Sequence, residues 1–159
     1  MIISPESLAV LGGAIALAGG LTGSSIGVGW TGSPAVHTLT EDPGQLRNVI
    51  VLISIPCTQT FYGLIVLILI LTRVVPNIAA MPDPGGSGFA VFALGIIAAC
   101  AESFSAAYQG AICGSGAALL PKTKGAILTN TVMLAVFVEL LGVLGMVFTI
   151  MALTMLGLF

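Results

Sequence analysis

The chain has 159 residues, of which 57% are hydrophobic and 6% are charged, with a net charge of −2 and a mean hydropathy of +1.17. Soluble domains carry about 25% charged residues, so this composition excludes a soluble globular domain and predicts an integral membrane protein. No stretch remains for a soluble domain that could bind nucleotides or nucleic acid.

Four long apolar runs predict four transmembrane helices, which we number 1 to 4. They lie at about 7–36, 46–72, 88–119 and 125–157. Each run exceeds the roughly 20 residues that a helix needs to cross the hydrocarbon core. Because a backbone in lipid must satisfy its hydrogen bonds within its own segment, and no alternating strand pattern is present, we predict an all-α membrane protein.

The two halves of the chain resemble each other. "SSIGVGWTG" in helix 1 aligns with "SAAYQGAIC" in helix 3, and "CTQTFYGL" in helix 2 aligns with "ELLGVLGM" in helix 4. The Pro- and Gly-rich stretch "RVVPNIAAMPDPGGSG" joins the halves. This pattern predicts a duplicated helical hairpin, with residues 1–80 as the first hairpin and residues 81–159 as the second. In this alignment Glu139 lies over Cys57, so only the second hairpin carries the acid.

The few basic residues predict the orientation. Arg47 lies in the first connection and Lys122 and Lys124 lie in the third, whereas Arg73 stands alone at the end of helix 2. The positive-inside tendency then places connections one and three in the cytoplasm and both termini outside.

Helices 1 and 3 are rich in small residues, as in "GGAIALAGGLTGSSIGVGWTGS" and "GAICGSGAA". Small residues let helix backbones approach closely in lipid. This pattern predicts either a tight four-helix bundle or the crowded inner layer of a ring, and glycines alone do not decide between them.

Polar residues on three helices lie at a similar depth. Helix 2 carries a set with the spacing i, i+3, i+4 and i+7, which places its members on one face: Ile55, Thr58, Gln59 and Tyr62. Helix 3 adds Gln109 and helix 4 adds Glu139. At about 1.5 Å per residue, Gln59, Gln109 and Glu139 lie roughly 18–23 Å from the cytoplasmic basic residues. A charge at this depth costs about 2.5 kcal/mol or more, so Glu139 is predicted to be functional.

These groups could form an oxygen site. One carboxylate, one hydroxyl, two amide oxygens and a backbone carbonyl carry a single negative charge, which suits a monovalent cation better than a divalent one. A proton would need only the carboxyl and one acceptor, so the additional oxygens favour Na⁺, with H⁺ as the alternative. Tyr62 could donate to Glu139 and hold it in a closed position. The other interpretation is that Thr58, Gln59 and Gln109 only form interhelical hydrogen bonds.

The duplicated hairpin, together with "IPCTQTFYG", "YQG" and "VELLGVLG", resembles the membrane rotor proteolipid of V-type ATPases. That protein is the c or K subunit, here in the double-hairpin form of bacterial sodium pumps. The resemblance implies a homo-oligomeric ring with helices 1 and 3 inside and helices 2 and 4 outside. It implies one Na⁺ per subunit, held by the Ile55 carbonyl and by Thr58, Gln59, Gln109 and Glu139, with Tyr62 closing the site.

The resemblance also implies partners and a location. The partners are identical subunits, a stator subunit with an essential arginine, central-stalk subunits on the cytoplasmic loops, and the lipid of a bacterial cell membrane. The chain would be a non-catalytic subunit, since the ATP site belongs to a separate soluble head. The stretch "GAALLPKT" is no phosphate loop because Pro121 replaces the required glycine.

Two other classes stay open at this point. A small four-helix cation exporter would use an acid in helix 1, whose interior has none. A structural tetraspan protein or pore would have no ion cycle.

The sequence departs from the family pattern at two positions. Cys57 replaces the glycine usual between the proline and the threonine. Glu102 lies seven residues before Gln109, on the same face and about 10 Å away. We predict that Glu102 is a protonated carboxyl bonded to helix 1 groups such as Ser24 or Ser25. The alternative is a second ion-linked group.

Overall fold

The computed structural model describes residues 4–159, which form four long helices joined by short connections. The helices are α1 (Pro5–Glu41), α2 (Pro43–Val74), α3 (Pro84–Thr123) and α4 (Ile127–Met155). All four are long and apolar enough to cross a membrane, and residues 4–159 contain no strand. The prediction of an all-α membrane protein with four spans is confirmed.

The helix ends follow ordinary capping rules. The first three helices each begin with a proline that follows a capping side chain, in the pairs Ser4–Pro5, Asp42–Pro43 and Asp83–Pro84. Proline suits the first helical position because its fixed φ is already helical and it has no N–H to satisfy. The turn between α3 and α4 is short, with left-handed φ values of 50° at Lys124 and 85° at Gly125. This turn holds α3 and α4 together as a hairpin.

The helices α1 and α3 run parallel at the centre of the bundle. The Thr31 hydroxyl donates to the Gly110 carbonyl at 3.0 Å, and the Thr38 hydroxyl donates to the Ala117 carbonyl at 2.7 Å. Both bonds join residues 79 apart, so the two helices keep one register over these turns. Two hairpins that run in the same direction place their first helices side by side in this way.

Glycine is required where α1 and α3 meet. A Cβ at Gly12 would lie 2.7 Å from the Val91 carbonyl oxygen, and one at Gly23 would lie 2.6 Å from the Ser103 Cα. Real side chains do not reach backbone atoms this closely, so any larger residue would push the helices apart. The small residues therefore serve tight packing within one chain.

The second span begins with a 3₁₀ turn at Pro43–Gln45 and is irregular in two further places. Its α-helical segments are Leu46–Ser54 and Thr58–Leu69, separated by a 3₁₀ turn at Ile55–Cys57 and followed by a π turn at Ile70–Val74. The 3₁₀ turn contains Pro56, which lacks the N–H of an ordinary helical residue. The helix tightens there instead of breaking. As a result, the residues after Pro56 begin a new helical segment in the middle of the span.

The outer helices cover the central pair. α2 packs mainly on α1, α4 packs mainly on α3, and α2 and α4 contact each other more sparsely. Large apolar side chains on the outer helices are exposed, including Phe61 at 61% and Phe137 at 70%. Polar side chains from α2, α3 and α4 meet where these three helices converge.

Candidate ion-binding site

The Glu139 carboxylate lies half-buried on α4, at its junction with α2 and α3. The Tyr62 hydroxyl on α2 donates to Glu139 Oε1 at 2.9 Å. The Gln109 amide nitrogen on α3 donates to Glu139 Oε2 at 3.4 Å and to the Ala135 carbonyl at 3.3 Å. Side chains from two other helices thus hold the acid that the sequence singles out.

Gln59 lies at the centre of the polar group and is fully buried, as is Gln109. The Gln59 amide nitrogen donates to Gln109 Oε1 at 3.0 Å and to the Ser105 hydroxyl at 3.0 Å. Its amide oxygen accepts from the Thr58 hydroxyl at 3.1 Å. The network therefore runs from Thr58 through Gln59 and Gln109 to Glu139.

The 3₁₀ turn places a backbone oxygen beside this network. The Ile55 carbonyl accepts from the Thr58 hydroxyl at 3.2 Å and also from the Thr58 backbone N–H. The Thr58 hydroxyl lies between the Ile55 carbonyl and the Gln59 amide oxygen, within hydrogen-bond distance of both. Three oxygens of α2 therefore converge at one point, just after Pro56.

Ser105 is a member of the network that the sequence pattern did not single out. Its hydroxyl accepts from Gln59 and donates to the Val138 carbonyl of α4 at 2.8 Å. The available signal was its position four residues before Gln109, on the same face of helix 3. Serine is common in membrane helices, so this spacing alone was a weak signal.

We call this group the Glu139 cluster and define it by its six side chains: Thr58, Gln59, Tyr62, Ser105, Gln109 and Glu139. Gln59, Ser105 and Gln109 are buried, whereas Thr58, Tyr62 and Glu139 are partly exposed. The cluster thus has a closed inner side and an outer side that opens between α2 and α4. Such an arrangement can bind a small cation or a proton and exchange it through the open side.

The donor set is unsuited to a divalent or transition metal. Residues 4–159 contain no group of three or more His, Cys, Asp or Glu side chains that could hold a metal ion. The single carboxylate suits a monovalent cation better. The Gln109 amide presents its nitrogen to Glu139, so coordination through Gln109 Oε1 requires this amide to turn over.

The other sequence candidates lie apart from the cluster. Cys57 is partly buried beside Pro56, with its sulfur 3.9 Å from the Ile53 carbonyl. Glu102 is fully buried, and within residues 4–159 neither of its carboxyl oxygens has a hydrogen-bond partner.

The prediction that Glu102 bonds to Ser24 or Ser25 is wrong. The Ser24 hydroxyl accepts from the Thr60 hydroxyl at 2.9 Å, and the Ser25 hydroxyl donates to the Leu21 carbonyl at 2.8 Å. Both serines thus use local or neighbouring partners. Glu102 points instead towards Gly63 of α2.

Residues 11–70 match the protein family of the C subunit of ATP synthase. The match lies in the first hairpin and covers less than half of the chain. The matched residues cover most of α1 and most of α2, including Ile55, Thr58, Gln59 and Tyr62, whereas Gln109 and Glu139 lie outside them. The match supports the resemblance to the proteolipids of V/A-type ATPases that the sequence indicates.

A curated relative is similar over part of the chain. It is the A-type ATP synthase subunit K of Methanocaldococcus jannaschii, 37% identical over 70 residues. The match covers 44% of this chain and 32% of that protein, so the chain spans about a third of the length of this relative.

Proposed function

We propose that this chain is an ion-translocating rotor subunit in the membrane sector of a V/A-type rotary ATPase and that it binds one Na⁺ at Glu139. The observation that carries the proposal is the Glu139 cluster. It is an acid in a membrane span, held by side chains of two other helices and open on one side. The match of the first hairpin to the ATP synthase family supports the same role.

The oxygens of α2 supply most of the proposed cation site. The Ile55 carbonyl, the Thr58 hydroxyl and the Gln59 amide oxygen already lie together. Glu139 adds the negative charge, and Gln109 adds an oxygen after its amide turns. A bound Na⁺ makes this site neutral, and only a neutral site can face lipid at low cost.

Both oxygens of Glu139 accept hydrogen bonds. A protonated carboxyl keeps acceptor capacity on both oxygens, so these bonds fit either cargo. The additional oxygens of Ile55, Thr58 and Gln59 favour Na⁺, since a proton would need only the carboxyl and one acceptor. The same rotor role with H⁺ as the coupling ion is the alternative, and chemical labelling of the acid separates the two.

In the proposed mechanism Tyr62 controls the exchange. While its hydroxyl donates to Glu139, the carboxylate stays turned into the cluster. When that bond opens, Glu139 turns towards a half-channel of the stator subunit, where the cargo ion is loaded or released. An arginine of the stator displaces the ion as a ring of identical subunits turns past it.

The rest of the chain is proposed to serve assembly. α1 and α3 form the inner layer of the ring and α2 and α4 the outer layer. The connections that carry Arg47, Lys122 and Lys124 contact the central stalk on the cytoplasmic side of a bacterial cell membrane, so both termini lie outside. The chain itself hydrolyses no ATP.

Carbodiimide labelling tests the proposal directly. The purified protein is labelled with and without Na⁺ at fixed pH, and the modified residue is located by mass spectrometry. We expect Glu139 to be labelled and Na⁺ to protect it. Glu139→Gln should remove the label. Thr58→Val, which keeps the side-chain shape but removes a ligand, should retain labelling and weaken protection by Na⁺.

The outcomes separate the candidates. Labelling of Glu139 without protection by Na⁺ would identify H⁺ as the coupling ion. Labelling of Glu102 in place of Glu139 would show that Glu102, and not Glu139, is the functional acid. A dimer in mild detergent, instead of a large ring that co-purifies with ATPase subunits, would favour a small cation exporter.

A further inference from the structure

Glu102 is the second acid within the membrane-spanning part of the chain, and the proposed ion cycle does not use it. It lies on α3, is 0% exposed, and both of its carboxyl oxygens are buried without a hydrogen-bond partner in the described part of the chain, residues 4–159. A buried polar group in this condition needs an explanation, because nearly all such groups in proteins are paired.

The carboxyl occupies a space left by a glycine. A Cβ at Gly63 of α2 would lie 2.7 Å from Glu102 Oε2, 2.7 Å from the Ala16 carbonyl oxygen and 2.9 Å from the Leu17 Cα. The carboxyl of Glu102 and the Ala16 carbonyl therefore approach the same point from two helices. We call these four residues, Ala16, Leu17, Gly63 and Glu102, the Glu102 pocket.

Nothing around the pocket supplies a positive charge. α1 has no titratable side chain between Glu6 and His37, and α4 has only Glu139. In α2, the titratable groups between Arg47 and Arg73 are Cys57 and Tyr62.

These neighbouring groups are engaged elsewhere. The Tyr62 hydroxyl donates to Glu139, and Glu139 also accepts from Gln109. The titratable neighbours of Glu102 on α3 itself are Cys100, Tyr108 and Cys113, which bring no cation. An ionised Glu102 would thus be an unpaired charge in an apolar interior, which proteins avoid.

A proton fits this pocket, and a metal cation does not. A cation would need several oxygens around it, and the Ala16 carbonyl oxygen is the other oxygen close to the point beside Gly63 where Glu102 Oε2 lies. A proton makes the acid neutral and provides an O–H donor. The Ala16 carbonyl can accept it, since a carbonyl in a helix keeps a second lone pair.

We propose that the Glu102 pocket is a second binding site, specific for one proton, which stays occupied while Glu139 exchanges its ion. Glu102 is fully buried where α3 meets α1 and α2, so its proton stays in place during the cycle. The subunit then contains two acids in its membrane spans and carries one ion per cycle. This inference goes beyond the proposed function and does not depend on the identity of the cargo ion.

Infrared spectroscopy of the intact, detergent-purified protein tests the proposal. A protonated carboxyl shows a carbonyl stretch that an ionised carboxylate lacks. The four other acids, Glu6, Glu41, Asp42 and Asp83, lie at helix ends. The spectra are recorded at alkaline pH. With saturating Na⁺ we expect one protonated-carboxyl band, which persists in Glu139→Gln and disappears in Glu102→Gln.

Two further measurements keep the test decisive if Glu102→Gln fails to fold. In Glu139→Gln the band should not change when Na⁺ is added or removed, and it should shift slowly in D₂O because Glu102 is fully buried. A band that responds to Na⁺ would make Glu102 a cation site and overturn the proposal. Absence of any band at saturating Na⁺ would also overturn it.

The same spectra distinguish this proposal from the proposed function. If Na⁺ changes no signal of Glu139 but the Glu102 band is present, the sodium cycle fails and the proton site stands. If Na⁺ acts on Glu139 but the band is lost in Glu139→Gln and retained in Glu102→Gln, the proton site fails and the sodium cycle stands.

Discussion

Glu139 and Glu102 are two acids in one helical bundle, yet their surroundings are opposite. Glu139 is partly exposed and accepts hydrogen bonds from Tyr62 and Gln109, whereas Glu102 is fully buried without a partner. A carboxyl that must exchange an ion needs prepared donors and an open side. A carboxyl that is enclosed by packed helices has neither. We therefore expect burial and hydrogen bonding, more than residue type, to determine which of the two carboxyls exchanges an ion.

The largest expected effect comes from neutralising each acid in turn. Glu139→Gln should lower Na⁺ binding by about a hundredfold or more, because it removes the only charged ligand and a charge-assisted contact. Glu102→Gln should change Na⁺ binding by less than about threefold, since a neutral amide replaces a neutral acid of similar size. Isothermal calorimetry on the purified protein measures both. Equal losses in the two variants would remove the distinction between the acids.

The next effect concerns the space that Gly63 leaves for Glu102. Gly63→Ala should destabilise the protein by about 2 kcal/mol, because overpacking a filled interior costs roughly 1–3 kcal/mol. Gly29→Ala is the matched control, since a Cβ at Gly29 would meet nothing within 4 Å. Resistance to unfolding in mixed detergent reports the difference. A stable Gly63→Ala variant would show that the pocket around Glu102 is not tightly filled.

A smaller effect should follow the loss of Ser105. Ser105→Ala removes an acceptor of Gln59 and a donor to the Val138 carbonyl. We expect Na⁺ affinity to fall about tenfold, because a buried polar group that loses a partner costs about 1–3 kcal/mol. Ser115→Ala on the same helix is the control, because Ser115 is exposed and bonds only to the Ala111 carbonyl of its own turn. Sodium titrations that give the same affinity for both variants would show that Ser105 does not position Gln59.

The smallest effect should come from Tyr62→Phe. It removes one hydrogen bond to Glu139, and such bonds in membrane proteins average about 0.6 kcal/mol, which corresponds to roughly threefold in affinity. The rate at which carbodiimide labels Glu139 should rise by a similar factor, because the carboxylate is less firmly held. Tyr108→Phe is the control, since Tyr108 is 58% exposed. A labelling rate unchanged by Tyr62→Phe would argue against Tyr62 as the closing residue.

The fold and much of the cluster could be predicted from the sequence because they depend on strong local signals. Run length and composition determine four spans, and helical spacing places Thr58, Gln59 and Tyr62 on one face. Counting residues from the basic ends brought Gln109 and Glu139 to a matching depth. The structure joins these groups by hydrogen bonds, although their role as Na⁺ ligands stays a prediction.

Other features depend on how the helices rotate and approach each other. The partners expected for Glu102 were wrong because Ser24 is engaged by Thr60 and because Gly63, on another helix, provides the space that receives the carboxyl. Ser105 was missed because its role depends on a contact with Gln59 across helices. From a single sequence, the position of a side chain along its helix can be predicted much better than the direction in which it points across the bundle.

The irregular turns of α2 have a consequence for the angle at which its two ends face their neighbours. The 3₁₀ turn at Ile55–Cys57 advances by about 120° per residue, compared with about 100° in an α-helix, so it overwinds the span. The π turn at Ile70–Val74 is wider and underwinds it. The two deviations have opposite signs and partly cancel, which returns the end of the span towards its original azimuth. If only one of the two turns became α-helical, the segment Thr58–Leu69 between them would rotate about the helix axis relative to one end of α2. Thr58, Gln59 and Tyr62 would rotate with it.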